Sequence, residues 1–226
     1  MNAMYFAQNR VVVVLFLMIF AISCKSQNTN TPYKKGKVFV FKVTVSDSNL
    51  TEIKSDTLSL EIKNKGLVGI LFGMNMAQWE SRGLPENKQK RGVNIKSDFV
   101  EMQMPIGFNY LENENIAMAG YPSFSETMLI GYSTESEHYF VKGYGKLSGE
   151  KIKQHRVVVD STQIRYKNKT VNCKVSEGGN RSAIDKYGTY KLKSFYNKDL
   201  GFVKMIYNYP NGKIIVFDLI GIEEKL

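Results

Sequence analysis

At 226 residues, with 43% apolar and 23% charged side chains, the chain has the composition of a folded protein and the length of one sizeable domain, which excludes a disordered or low-complexity polymer. Lys and Arg number 31 against 21 Asp and Glu, a formal charge of +10 that favours anionic surfaces over acidic or neutral ones. Only two histidines and two cysteines are present, so metal and redox chemistry is thinly supplied.

The N-terminus carries the strongest local signal. Residues 11–20, VVVVLFLMIF, form an apolar run preceded by Arg10 and followed by Ala21-Ile22-Ser23-Cys24. A charged start, a short apolar centre and small residues at its end make a secretory signal. Val11 to Ser23 is thirteen residues, well short of the roughly 20 that a helix needs to cross a bilayer. The last four residues resemble a lipobox, the recognition site of lipoprotein signal peptidase, with Ala21 where Leu is commonest. That resemblance implies cleavage before Cys24, a thioether diacylglycerol on its sulfur and a further acyl chain on its amine. One acyl chain binds membranes only marginally, but two or three anchor firmly, at about 0.8 kcal/mol per buried CH₂. The expected organisation is a signal peptide over 1–23, a polar tether over 24–36 beginning at the lipid-attachment residue Cys24, and a single β-rich domain over 37–226. Lys34, Lys35 and Lys37 at the end of the tether are placed to approach lipid headgroups. Arg10 is the single charged side chain of 1–23, so the basic excess stays with the domain. The basic residues are scattered and an exported protein rarely meets nucleic acid, so a membrane surface, or no specific partner, is the better reading. With Cys24 acylated, Cys173 has no disulfide partner and is expected to be buried.

From Lys37 onward the hydrophobic pattern has period two. Phe39, Phe41, Val43 and Val45 alternate with Val40, Lys42 and Thr44, and Leu58, Leu60 and Ile62 alternate with Ser59 and Glu61. Further strands are predicted at 67–73, 98–104, 126–131, 137–143, 151–159, 161–166, 170–177, 186–197, 202–209 and 213–222. Asn64-Lys65-Gly66, Lys167-Asn168-Lys169 and Pro210-Asn211-Gly212 read as turns. In the last, Asn-Gly supplies the positive φ of a tight hairpin, which pairs 202–209 with 213–222. In that pair Val203, Met205 and Tyr207 are expected on one face, and Ile215, Phe217 and Leu219 on one face of a strand apolar on both sides and therefore central. Residues 74–92 are the exception: Met74, Met76, Ala77 and Trp79 suit one or two helical turns before Gly83 and Pro85, with an exposed loop after them. The fold class that follows is mainly β, one antiparallel, strongly curved sheet, half-barrel or sandwich-like, with little helix.

Few residue groups suggest chemistry. His138 and His155 fall in predicted strands without the spacing of a metal site. Glu112 and Glu114, in LENEN, read as a solvated turn, and Leu147-Ser148-Gly149 as a turn rather than a nucleophile elbow. Glu177-Gly178-Gly179-Asn180 lacks the Lys-Ser/Thr of a phosphate loop and reads as a hairpin turn. Lys151, Lys153 and His155 share one strand face, with Arg156 on the other; this is either a basic strip for anionic lipid or, by the stronger reading, an edge strand guarded by lysines. Tyr187, Tyr190, Phe195 and Tyr196 line either a ligand cavity or a core.

The run YGTYKLKSFYNKDLGFVKMIYNYPNGKIIVFDLIGIE, within Tyr121–Glu223, resembles uncharacterised bacterial lipoproteins. The shared layout is an aromatic strand over Tyr187–Tyr196, then Gly-Phe-Val-Lys-Met, a tyrosine strand, a tight turn and a final aliphatic strand, preceded by a strand holding a single cysteine. The resemblance implies an envelope lipoprotein and brings no catalytic residue with it. The expected protein is a lipid-anchored, non-enzymatic binding or interaction module of the bacterial envelope, on the outer membrane, without cofactor or metal. Its partners would be the membrane, through the anchor, and either envelope proteins or a lipid-like ligand. A carrier with a lipid-like ligand in a curved-sheet cavity is the alternative, and a hydrolase a distant third.

Overall fold

The computed structural model describes residues 31–63, 74–84, 86–96, 98–105, 118–139, 149, 151–180 and 188–225. The expected signal peptide, Cys24, the predicted strand 67–73, the predicted turn at Asn64-Lys65-Gly66, Glu112, Glu114, Ser148 and Tyr187 lie outside the described residues. Twelve strands are described: β1 (Lys37–Ser46), β2 (Glu52–Lys63), β3 (Asn75–Ser81), β4 (Lys88–Ile95), β5 (Phe99–Met102), β6 (Ser123–Ser125), β7 (Ser133–Tyr139), β8 (Lys151–Tyr166), β9 (Lys169–Asn180), β10 (Lys191–Asn197), β11 (Gly201–Asn208) and β12 (Ile214–Glu224). They form one antiparallel sheet in the order β6-β5-β4-β3-β2-β1-β12-β11-β10-β9-β8-β7. The chain thus makes one six-strand meander outward and a second one inward, and the first and last strands pair at the centre. Among the described residues β6 and β7 are not paired, so the sheet is not closed.

Curvature has a local cause. In four places one residue is skipped in the register: Ile53 in β2, Val159 in β8, Val203 in β11 and Ile220 in β12. Each skip is a bulge, which bends its strand and adds right-handed twist. The sheet curls until β6 reaches the far half: Phe124 stacks on Tyr196 of β10 with ring centroids 4.2 Å apart. Apolar residues at alternate positions fill the hollow side. Phe39, Phe41, Leu58, Leu60, Trp79, Met102, Met104, Phe202, Tyr207 and Phe217 are wholly buried. The Trp79 ring lies 5.7 Å from Phe41 and 6.3 Å from Phe217, and Tyr207 sits edge-on to Phe217 at 5.9 Å. Burying one such aromatic side chain contributes a few kcal/mol, so this cluster dominates stability. The indole nitrogen of Trp79 donates to the carbonyl of Gln103 at 3.2 Å, which satisfies its one polar atom.

Several expectations are corrected. Residues 74–92 hold no helix; they supply β3 and the start of β4. Ala77, Trp79 and Ser81 point inward and alternate with half-exposed Met76, Gln78 and Glu80, a strand pattern that the closely spaced Met and Ala residues disguise. Residues 126–131 are turns, and the strand lies just before them at Ser123–Ser125. Residues 151–159 and 161–166 are one strand broken only by the bulge at Val159. That strand is not an edge, because β7 and β9 flank it. Glu177-Gly178-Gly179-Asn180 is no turn but the buried end of β9. Its glycines are there for close approach: a Cβ on Gly178 would lie 2.5 Å from the His155 carbonyl oxygen, and one on Gly179 2.2 Å from that of Tyr190.

The C-terminal hairpin pairs as expected, with two differences. Met205 and Tyr207 point inward, opposite Phe217 and Ile215, but the bulge turns Val203 to the outer face. In the loop, Gly212 donates to the Tyr209 carbonyl at 3.0 Å. Its φ is +82°, while Asn211 is not left-handed, so the connection is a three-residue loop rather than an Asn-Gly pair. β12 is central, and Ile215, Phe217 and Leu219 are buried; the other face is only partly covered, with the bulge residue Ile220 exposed.

Candidate interaction surface

The hollow side carries charged side chains, among them Arg91 of β4, opposite Ala77, and Arg156 of β8. Arg156 of β8 extends over Gly178, whose missing side chain leaves room for it, and donates through Nη2 to the carbonyl oxygen of Tyr121. Beside it, Gln154 donates to the carbonyl of Met118 at 3.3 Å. These two side chains strap residues 118–122 across the inner face, and Met102 N fixes the strap from β5 through Pro122 O. Burial pulls the Arg156 guanidinium below its ordinary range, while the nearby Glu101 carboxylate works the other way. The arrangement holds a segment in place. It offers no pair of groups suited to acid–base work.

Two open clefts lie at the end of the sheet where the chain enters the domain. The first, about 370 Å³, lies between the β6 end and strands β9 and β10 and is lined by Phe124, Glu126, Ser161, Asn172, Cys173, Lys174, Tyr196 and Lys198. Lys174 spans it, donating to the carbonyls of Glu126 at 3.2 Å and Met128 at 3.0 Å, with its ammonium 5.6 Å from the Phe124 ring centre. The second, about 510 Å³, lies under the tip of the β8–β9 hairpin, between Tyr166, Lys169 and Val171 and the turn Asn197–Leu200. Asn172 and Lys198 line both, so the clefts flank the same strand ends. Their apolar floors and lysine rims suit a ligand or surface with an apolar part and an anionic one.

A small outer core supports this end. The two bulge residues Val159 and Val203 face outward and join Cys173, Val175 and Phe195, with Ile164, Tyr166, Val171, Leu200 and Ile206 packed against them. Tyr33, at the point of entry, accepts a hydrogen bond from Phe202 N at 2.8 Å, and burial raises its hydroxyl pKa well above the usual tyrosine range. A Cβ on Gly201 would come within 2.5 Å of that hydroxyl, so the entry segment and the β10–β11 turn are packed directly together.

No family model matches the chain, and no curated protein does. The solved structures similar in outline include three from bacteria. A protein from Bacteroides fragilis, described as exported and of YmcC-like fold, is 9% identical over 86% of this chain and 98% of its own, with a TM-score of 0.46. A protein from Parabacteroides distasonis described as a lipoprotein is 12% identical over 86% and 98%, with a TM-score of 0.44. The hypothetical lipoprotein YmcC from Escherichia coli is 4% identical over 90% and 94%, with a TM-score of 0.40.

Of the residues singled out from sequence, Cys173 is where it was expected, 2% exposed in β9 beside Val175 and free of any disulfide. Burial pushes its thiol up to about 11. Lys151 and Lys153 are exposed on the outer face, and Lys151 meets Glu137 of β7 at 3.5 Å, so part of the strip is neutralised across the strand pair. The other strip residue, His155, is half-buried on the outer face. The aromatic group divides: Phe195 belongs to the outer core, Tyr196 to the inner one, and Tyr190 lies edge-on to Tyr209 at 5.2 Å. Lys174, Lys198 and Asn172 were not singled out. Their signal is faint: Asn172 and Lys174 are single polar residues at alternate positions of β9, and Lys198 is one charge in a polar turn.

Proposed function

We propose that the chain is a lipoprotein of the bacterial envelope, acylated on Cys24 and held on the outer membrane, and that its β-domain is a non-enzymatic interaction module. The observation that carries this reading is the pair of lysine-rimmed apolar clefts at the end of the sheet where the tether enters. They flank Asn172 and Lys198, and Lys174 crosses one of them. The filled hollow supports it: where a carrier would need space for an apolar ligand, the described inner face holds Trp79, Phe41, Phe217, Tyr207 and the strap over Arg156. No cofactor is invoked, and nucleic acid is not the proposed partner.

Two measurements test it. Mass spectrometry of the mature N-terminus should find residue 24 first and lipid-modified; a soluble mature form starting elsewhere would overturn the anchor. Native mass spectrometry of the protein purified from its host should find it free of stoichiometric lipid-like cargo. A retained apolar ligand would make it a carrier, and turnover of an ester substrate that co-purifies through every step would make it an enzyme.

A further inference from the structure

The β8–β9 hairpin is longer than its neighbours require. Register pairing with β7 stops at Val157, and β10 ends at Asn197, whose side chain donates to the Asn172 carbonyl at 2.8 Å. Beyond that level Gln163 pairs with Asn172, Ile164 with Val171, Arg165 with Thr170 and Tyr166 with Lys169, and no other strand joins them among the described residues. This two-stranded ribbon runs about 10 Å past the sheet. A ribbon of that kind is marginal by itself; here its apolar side, Ile164, Tyr166 and Val171, packs toward Leu200 and the outer core. Arg165, Lys167 and Lys169 are left exposed.

The ribbon tip shares its end of the molecule with the tether. Leu200 lines the cleft beneath Tyr166, and the adjoining Gly201 and Phe202 contact Tyr33. Exposed Lys34, Lys35 and Lys198 lie at the same end, where the exposed carboxylates include Glu126, Asp199, Glu224 and Glu223, the last held by Arg82. Of the six exposed cations Lys34, Lys35, Arg165, Lys167, Lys169 and Lys198, none is in an ion pair among the described residues. By contrast Lys88, Lys193 and Lys204, and Lys63 and Lys225 beside the start of β1, each have a carboxylate within 3.0 Å. Residues 24–30, the chain between Cys24 and the described domain, can span at most about 25 Å. A lipid on Cys24 therefore keeps this cationic end close to a bilayer.

We infer that this end docks on the surface of that bilayer, with Arg165, Lys167, Lys169 and Lys198 against the phosphates of anionic phospholipids and Lys34 and Lys35 beside them. The inference rests on the anchor reading and names the partner of the same face. The tether supplies proximity, and the cations then fix which side of the domain faces the membrane. Each cation near an anionic leaflet strengthens attraction roughly fivefold, falling off within a Debye length of about 8 Å.

The test uses the full-length lipidated protein in vesicles of phosphatidylcholine alone or with about a third phosphatidylglycerol. Lys167→Cys carries a fluorophore, and Asn49→Cys, in the turn at the opposite end of β1, carries the control label. A headgroup-attached quencher should reach the residue 167 label in the anionic vesicles, lose it at high salt, and leave the residue 49 label bright in both. Arg165→Gln with Lys169→Gln should weaken that contact by more than tenfold. A residue 167 label as bright as the control in anionic vesicles overturns the inference, as does quenching unchanged by salt. Quenching or protection that appears only on adding envelope extract assigns the face to a protein partner and also overturns it. Failure of the anchor is read separately, from the mass of the mature N-terminus. If residue 24 is unmodified, salt-sensitive flotation of that protein with the anionic vesicles keeps the inference, and no flotation sinks it.

Discussion

The central β1–β12 pair and the β8–β9 ribbon are both antiparallel ladders, yet their side chains meet opposite surroundings. At the centre, Phe39, Phe41, Val43 and Val45 face Ile215, Phe217 and Leu219 in a dry interior, and a further strand flanks each member of the pair. In the ribbon, Ile164, Tyr166 and Val171 are only partly buried, and charged side chains stand in solvent on either side of them. Stability therefore concentrates in the central pair, while the ribbon can change its charge at little structural cost.

The most severe way to break that contrast is to delete one side of the central pair. Truncation before Gly201 removes β11 and β12 and leaves β1 without its long-range partner. No cooperative unfolding transition should survive, as followed by near-ultraviolet circular dichroism in denaturant. Next come Phe217→Ala and Trp79→Ala, each expected to cost about 3–5 kcal/mol by chemical denaturation, out of the roughly 5–15 kcal/mol that holds a domain together. A loss below about 1 kcal/mol at either site would mean that the inner core is not the one described. Gly179→Ala should cost about 1–3 kcal/mol, since its methyl group would meet the Tyr190 carbonyl and the neighbouring backbone has to move.

Cys173 sits between the two regions in effect. The neutral thiol is favoured in the folded protein, so its contribution is complete below the ordinary thiol pKa and is lost as pH rises through the folded value of about 11. The stability difference between the parent and Cys173→Ala should shrink between about pH 9 and pH 11. Thiol reagents at neutral pH should react only after denaturant is added. The smallest effect is expected in the ribbon: replacing Arg165, Lys167 and Lys169 together by Gln should change stability by no more than about 0.5 kcal/mol. A large loss there would make the ribbon part of the folding core and erase the contrast.

How much of this is readable from residues alone depends on what each residue pattern encodes. Leu58 to Ile62 alternates because one face is dry and the other wet, and Phe39 to Val45 and Ile215 to Leu219 keep every second residue apolar on the inner face, so their strands are legible. The bulges are not: Val203 and Val159 are ordinary apolar residues whose outward turn depends on the pairing of neighbouring strands. The glycine pair at 178–179 looks like turn chemistry because Gly permits turns, whereas here it permits two backbones to touch. The strand at 75–81 was hidden because Met76 and Ala77 are adjacent apolar residues on opposite faces. The clefts could not be read, since Lys174 and Lys198 gain their setting from Phe124, which is fifty residues away in the chain from Lys174 and reaches it only when the sheet curls.

The position of the first strand also bears on how the protein reaches its native state. β1 finds β2 through the turn Asp47–Thr51, but Lys37 pairs with Glu224 across nearly the whole chain. Such separations make closure slow, on the order of milliseconds to seconds. Until residues 214–224 are free to pair, one side of β1 is an unpaired edge bearing Phe39 and Phe41, a template for association with other chains. How soon β12 becomes available, and whatever shields that edge meanwhile, should therefore set the yield of native protein more than its final stability does.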